Sequence, residues 1–127
     1  MRILICGDRN WSNLSFLKKF IDSIPFDSVV IEGEARGVDL LSKAYARKRN
    51  LDVIQFPANW MKYGAAAGPI RNSQMLEEGL PDIVTAFHFN IAESKSTKNM
   101  LIQAKNKGVK TYLNPSSFQE LENFKYD

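Results

Sequence analysis

Five short apolar runs, each followed by a stretch with helical spacing, constrain this chain more than any other feature. The runs are residues 3–6, 29–31, 53–56, 83–87 and 109–113. Runs of this length, rich in β-branched residues and bounded by Gly, Pro or Asn, read as strands. Between them, Ser12 caps a helix with Leu14, Leu17, Ile21 and Ile24 on one face, and Pro25 stops it. Residues 38–50 read as a second helix with Leu40, Leu41, Ala44 and Tyr45 inward and Asn50 at its end. Residues 57–68 read as irregular, and Pro69 takes the first position of a third helix that ends at Gly79. Ser94 or Ser96 caps a fourth helix bearing Met100, Leu101 and Ala104, closed by Gly108; Pro115-Ser116-Ser117 opens a last one with Phe118, Leu121 and Phe124. Alternation of this kind predicts an α/β domain with a parallel sheet covered on both faces. Right-handed crossovers leave few topologies, and the expected one is doubly wound with strand order 3-2-1-4-5. Ligands then bind beyond the C-terminal strand ends, at the switch between the first and fourth strands.

The chain of 127 residues is expected to be one domain over residues 1–127, long enough for a real core. Met1-Arg2 leads straight into a strand with no leader pattern, and no apolar run approaches the roughly 20 residues that cross a bilayer. Cys6 is the only cysteine, which excludes an internal disulfide and a cysteine-cluster metal site. His88 is the only histidine and has no metal-ligand partner at useful spacing. No metal, cofactor or membrane is expected, and the expected compartment is the cytoplasm. The net charge of +3 permits an anionic partner without requiring nucleic acid.

Four loops should meet at the strand ends. In Gly7-Asp8-Arg9-Asn10-Trp11, Gly7 allows close backbone approach and Arg9 can meet an anion. Asp8 can accept from a ribose hydroxyl, although bonding its own turn is the commoner use of such a residue. The second loop, Gly33-Glu34-Ala35-Arg36-Gly37, joins a strand to a helix, where exposed amides favour phosphate. Arg36 there can fork onto a phosphate or stand solvated in an ordinary turn, and Asp39 complements the helix dipole. The third, Gly68-Pro69-Ile70-Arg71-Asn72, places Arg71 and Asn72 in a helix's first turn. The fourth, from His88 to Thr97, offers Ser96 and Thr97 as phosphate ligands, or simply a capped helix with solvated lysines. Trp60 and Tyr63 either pack on the sheet edge or stack on a base. The chain has no G-x-G-x-x-G after its first strand, no Walker A motif and no nucleophile elbow.

These segments together resemble the SLOG superfamily, named for the Smf/DprA and LOG proteins, and within it the small stand-alone members related to YspA and YpsA. The matching residues are Ile5-Cys6-Gly7-Asp8-Arg9, Gly33-Glu34-Ala35-Arg36-Gly37-Val38-Asp39, Phe56-Pro57-Ala58-Asn59-Trp60, Gly68-Pro69-Ile70-Arg71-Asn72 with Met75, and Asp82-Ile83-Val84-Thr85-Ala86-Phe87 followed by Ser96-Thr97. The resemblance implies a Rossmann-like fold and a pocket for a nucleotide or nucleotide-derived ligand. Some members hydrolyse the N-glycosidic bond of nucleoside monophosphates, and the DprA branch binds single-stranded DNA.

The hydrolytic branch carries P-G-G-x-G-T-x-x-E after the fourth strand. The stretch here is Ala92-Glu93-Ser94-Lys95-Ser96-Thr97-Lys98-Asn99-Met100, without the glycines and with Met100 at the place of the catalytic glutamate. Methionine neither accepts a proton nor stabilises an oxocarbenium ion. The expected function is therefore non-catalytic binding of a nucleotide-derived molecule, by a sensor or sequestering module. The alternative is a nucleotide N-glycosidase-like hydrolase using Glu93 or Glu34 as an atypical carboxylate. Single-stranded nucleic-acid binding through Trp60 and Tyr63 is weaker, because only Lys62 flanks them closely. A homo-oligomer is kept open.

Overall fold

A computed structural model gives the backbone over residues 1–124 and the side chains over 1–121. Strands β1 (Arg2–Gly7), β2 (Val29–Glu32), β3 (Asp52–Gln55), β4 (Ile83–Phe87) and β5 (Lys110–Leu113) form one sheet in the order β3-β2-β1-β4-β5. Every pairing is parallel, and Leu4 of β1 lies between Ile31 and Val84. The expected order and the central place of β1 are thus the observed ones. Strand alternation splits the core in two. Ile3 and Ile5 join Leu17, Phe20 and Ile21 of α1 (Leu14–Asp22), Val38 and Ala46 of α2 (Val38–Lys48), and Phe118 and Leu121 of α6 (Phe118–Phe124). Leu4 and Cys6 face the other way, onto Met75 and Leu76 of α4 (Ala67–Gly79) and Met100 and Ala104 of α5 (Ser96–Asn106). Cys6 is the small buried hydrophobe the sequence suggests. No helix among the described residues is long and apolar enough to cross a membrane.

Four local expectations need correction. Helix α1 is capped by Asn13, not Ser12: the Asn13 Oδ1 accepts from Phe16 N at 3.2 Å. The later start leaves Leu14 in the first turn, on the solvent side, and Phe20 takes the inner place. In α2, Gly37 with φ +80° turns the chain so that Val38, Asp39, Ser42 and Ala46 face inward. Leu40 and Ala44 are exposed, while Leu41 and Tyr45 pack only at the margin. Residues 57–59 are irregular as expected but 60–66 are not, because Asn59 Oδ1 accepts from Lys62 N at 3.1 Å and caps a one-turn helix, α3 (Trp60–Tyr63). A 3-10 turn (Gly64–Ala66) follows and feeds α4 directly, so Pro69 is the third helical residue rather than the first. It still lies among the amides that have no intrahelical partner. Of the two caps expected for α5, Ser94 is the one used: its Oγ accepts from Thr97 N at 3.0 Å. The side chain of Phe124 lies outside the described residues.

Two backbone positions give opposite predictions. A Cβ on Gly7 would sit 2.2 Å from the carbonyl oxygen of Phe87, in the pairing of β1 with β4. Gly7→Ala should therefore cost about 2 kcal/mol or more in urea unfolding. Leu80, which ends α4 at φ 51° and is 65% exposed as a residue, holds a left-handed conformation that suits glycine. Leu80→Gly should stabilise by about 0.5–1 kcal/mol in the same assay, the relief of strain exceeding the added chain entropy.

Candidate functional site

The C-terminal ends of β1, β2 and β4 open into a cavity of about 600 Å³, at the switch point the topology predicts. Glycines shape its floor. Asp8 N donates to Phe87 O at 2.9 Å, which the bare Gly7 permits. Val38 N donates to Asp8 O at 3.1 Å, and a Cβ on Gly37 would strike that same oxygen. Gly37 therefore locks the first loop to the start of α2 and lines no cavity itself.

Arg71 is the centre of the site. Its side chain reaches from α4 across the end of β2 and is only 4% exposed. Nη1 donates to Gly33 O at 2.6 Å, Nε to Asn72 Oδ1 at 3.0 Å and Nη2 to Ser96 Oγ at 3.3 Å. A side chain on Gly33 would occupy the place of this guanidinium. Asn72 ties α4 to α5 by donating to Ser96 O at 3.1 Å and to Asn99 Oδ1 at 3.2 Å. Burial pulls the Arg71 pKa below its usual value, and the charge of Asp39 opposes that. Asp39, also 4% exposed, lines the cavity with it. Burial pushes the Asp39 carboxyl up to about 6, against the pull of Arg71 and of the Ala35 and Gly33 amides.

A smaller cavity of about 320 Å³ adjoins the first and shares Arg9, Ala35, Trp60 and Arg71 with it. The Arg9 guanidinium lies over the Trp60 ring, 5.4 Å from its centroid. Of the residues expected at the site, Gly7, Arg9, Trp60, Arg71, Asn72, Ser96 and Thr97 line the main cavity. Gly33, Glu34 and Arg36 line the smaller one, Arg36 being exposed. Tyr63 lines neither and instead carries Lys62 Nζ 5.1 Å over its ring. Glu93 is exposed at the end of a 3-10 turn and lines neither cavity. Met100 is fully buried in the core beneath. Asp39 was legible as a carboxylate in a helix's first turn at a strand end, but its burial depends on the rotation of α2 that Gly37 sets. Among the described residues no group of three or more His, Cys, Asp or Glu side chains is placed to hold a metal ion.

A second charged group at the end of β2 escapes any sequence signal except its position in a buried strand. Glu32 is fully buried, and burial pushes its carboxyl up to about 8, with the Glu34 carboxyl adding to the shift. Glu34, in contrast, sits below its usual value: burial raises it, but the Glu32 proton and Lys43, whose Nζ is 2.7 Å away, outweigh that. The folded Glu32 thus keeps its proton where the unfolded one, near 4.5, has lost it. Its contribution to stability is complete below about pH 4.5 and is lost as the pH rises towards 8. Glu32→Gln mimics the protonated acid and keeps an acceptor for Glu34 N, which donates to Oε1 at 2.9 Å. The variant should unfold at higher urea than the native protein at about pH 8.5, and the two midpoints should converge near about pH 4.5.

Comparison with known proteins is consistent with this architecture. Residues 1–63 match the family described as YAcAr, the YspA, cpYpsA-related SLOG family. The "Gene 61 protein" of Mycobacterium phage D29 is 29% identical over 117 residues, covering 85% of this chain and 91% of that protein. The X-ray structure of DNA processing protein A (DprA) from Streptococcus pneumoniae superposes with a TM-score of 0.56 at 15% identity, covering 96% of this chain. The chain spans about 60% of that DprA chain, and the likeness is one of fold. The matched first half holds the Gly7–Arg9 loop and the Gly33–Asp39 turn, so over these residues the chain is similar to the YspA, cpYpsA-related SLOG family.

Proposed function

We propose that the main cavity binds a nucleotide or nucleotide-derived molecule, with Arg71 and Arg9 holding its anionic part. The similarity of residues 1–63 to a SLOG family supports nucleotide-related binding or processing. The observation that carries the reading is the buried Arg71 guanidinium on the cavity wall. A buried cation is costly unless paired, and among the described residues no carboxylate lies within ion-pair distance of the Arg71 guanidinium. A phosphate would complete that pairing. Trp60, already engaged by Arg9, offers a ring face to a base. Arg36 reaches an anion only through the smaller cavity and contributes less. Binding without turnover fits the carboxylates best. Met100 is core, Glu93 faces neither cavity, and Glu34 is held by Lys43. A single-strand platform gains no support, because Trp60 and Tyr63 do not share a cavity.

A thermal-shift panel of mononucleotides, dinucleotides and ADP-ribose species should find at least one compound that raises the melting temperature. Titration calorimetry with that compound should show Arg71→Gln weakening binding by about 1.5–3 kcal/mol, and Arg36→Ala by about 1 kcal/mol or less, as suits an exposed charge. Unchanged affinity in Arg71→Gln would remove the proposed site. Chromatography of adenosine monophosphate incubated with the protein should show no released base. Release that Asp39→Asn abolishes would replace this reading with a hydrolase.

A further inference from the structure

We infer that Asp8 and His88 form a subsite for a sugar hydroxyl, so that the ligand is of the ribonucleotide class rather than a deoxynucleotide or a bare phosphate. The inference rests on the reading of Arg71 as the anion holder and adds a second recognition element to the same cavity. Asp8 follows the last residue of β1 and His88 follows the last residue of β4. Gly7 and Phe87 are register partners, so the topology delivers both side chains to one part of the cavity wall.

Each of the two spends one polar atom on its own loop. Asp8 Oδ1 accepts from Asn10 N at 2.8 Å, and His88 Nδ1 accepts from Asn90 N at 3.0 Å. Asn114 fixes the His88 backbone from β5's end, accepting from its N–H at 2.8 Å and donating to its carbonyl at 3.1 Å. With Nδ1 an acceptor, the neutral ring carries its proton on Nε2. That leaves an acceptor, Asp8 Oδ2, and a donor, His88 Nε2–H, 3.9 Å apart. The gap is too wide for a hydrogen bond between them. It does suit one hydroxyl that donates to the carboxylate and accepts from the imidazole. The side chains are 29% and 12% exposed, open enough to be reached and shielded enough to matter. A phosphate would meet repulsion at Asp8, whereas a sugar hydroxyl offers both a donor and an acceptor. Arg71 for the phosphate and Asp8 with His88 for the sugar together describe a ribose phosphate.

His88 is the only histidine, so its imidazole resonances report on this place without further assignment. The probes are adenosine 5′-monophosphate, its 2′,3′-dideoxy analogue and inorganic phosphate, titrated into the native protein by NMR. The monophosphate should move the His88 ring signals and bind about tenfold or more tightly than the dideoxy analogue, as expected for a hydrogen bond to a charged group. Asp8→Asn keeps an acceptor for Asn10 N but sets an amide donor against His88 Nε2–H. It should bring the monophosphate down to the affinity of the dideoxy analogue and leave the analogue unchanged. Equal affinity of the two nucleotides for the native protein, or a preference that survives in Asp8→Asn, would overturn the hydroxyl subsite alone. Failure of both nucleotides and of phosphate to bind would overturn the Arg71 reading and the subsite with it.

Discussion

The burial of one guanidinium organises this end of the molecule. Removing Arg71 from water carries a desolvation cost of several kcal/mol, by order of magnitude. The structure meets it with a carbonyl from the second loop, an amide oxygen from the arginine's own helix and a hydroxyl from the start of α5. Each of these partners comes from a different segment, so the charge acts as a cross-link between β2, α4 and α5. Gly33 has to be bare for the side chain to lie where it does. Asn72 then repeats the link between α4 and α5 with its own two hydrogen bonds. Any movement of α4 relative to α5 must break this set, and the cavity between them keeps its form accordingly.

The carboxylates around that charge behave in graded fashion because their solvation differs. Asp39 and Glu32 are buried and resist ionisation, whereas Glu34, one turn residue away and in contact with Lys43, gives up its proton easily. Glu34 holds a left-handed backbone, φ 61°, which glycine would adopt without strain. Its carboxylate accepts a hydrogen bond from protonated Glu32 and pairs with Lys43. The second loop is thus stabilised by charge arrangement as well as by backbone form.

The fold was legible because it rests on periodic signals. Ile3 to Cys6 alternate between two core clusters as a central strand must, and Gly and Pro mark the breaks. What misled was phase and not type. Asn13 is as good a cap as Ser12, and nothing local chooses between them. Gly37 rotates α2 through a backbone angle that no residue pattern reports, and this exchanges Leu40 and Ala44 for Asp39 and Ser42 on the inner face. The site was legible in part for the same reason. Arg71 and Asn72 stand where an anion site would be sought, but their burial and their bonds to Gly33 and Ser96 are tertiary facts. Trp60 and Tyr63, three residues apart, read as a pair, and a one-turn helix sends only one of them to the cavity.

The cavity wall is drawn from both halves of the chain. The glycine notches at Gly7 and Gly37, which let a loop and a helix start lie in contact, belong to residues 1–63. Arg71, Asn72, His88, Ser96 and Thr97 come from beyond that boundary. A frame held by missing side chains is indifferent to what is placed opposite it. The same first half also sends Asp8, Arg9, Asp39 and Trp60 to the wall, so likeness there covers the frame and only part of the surface that reads a ligand.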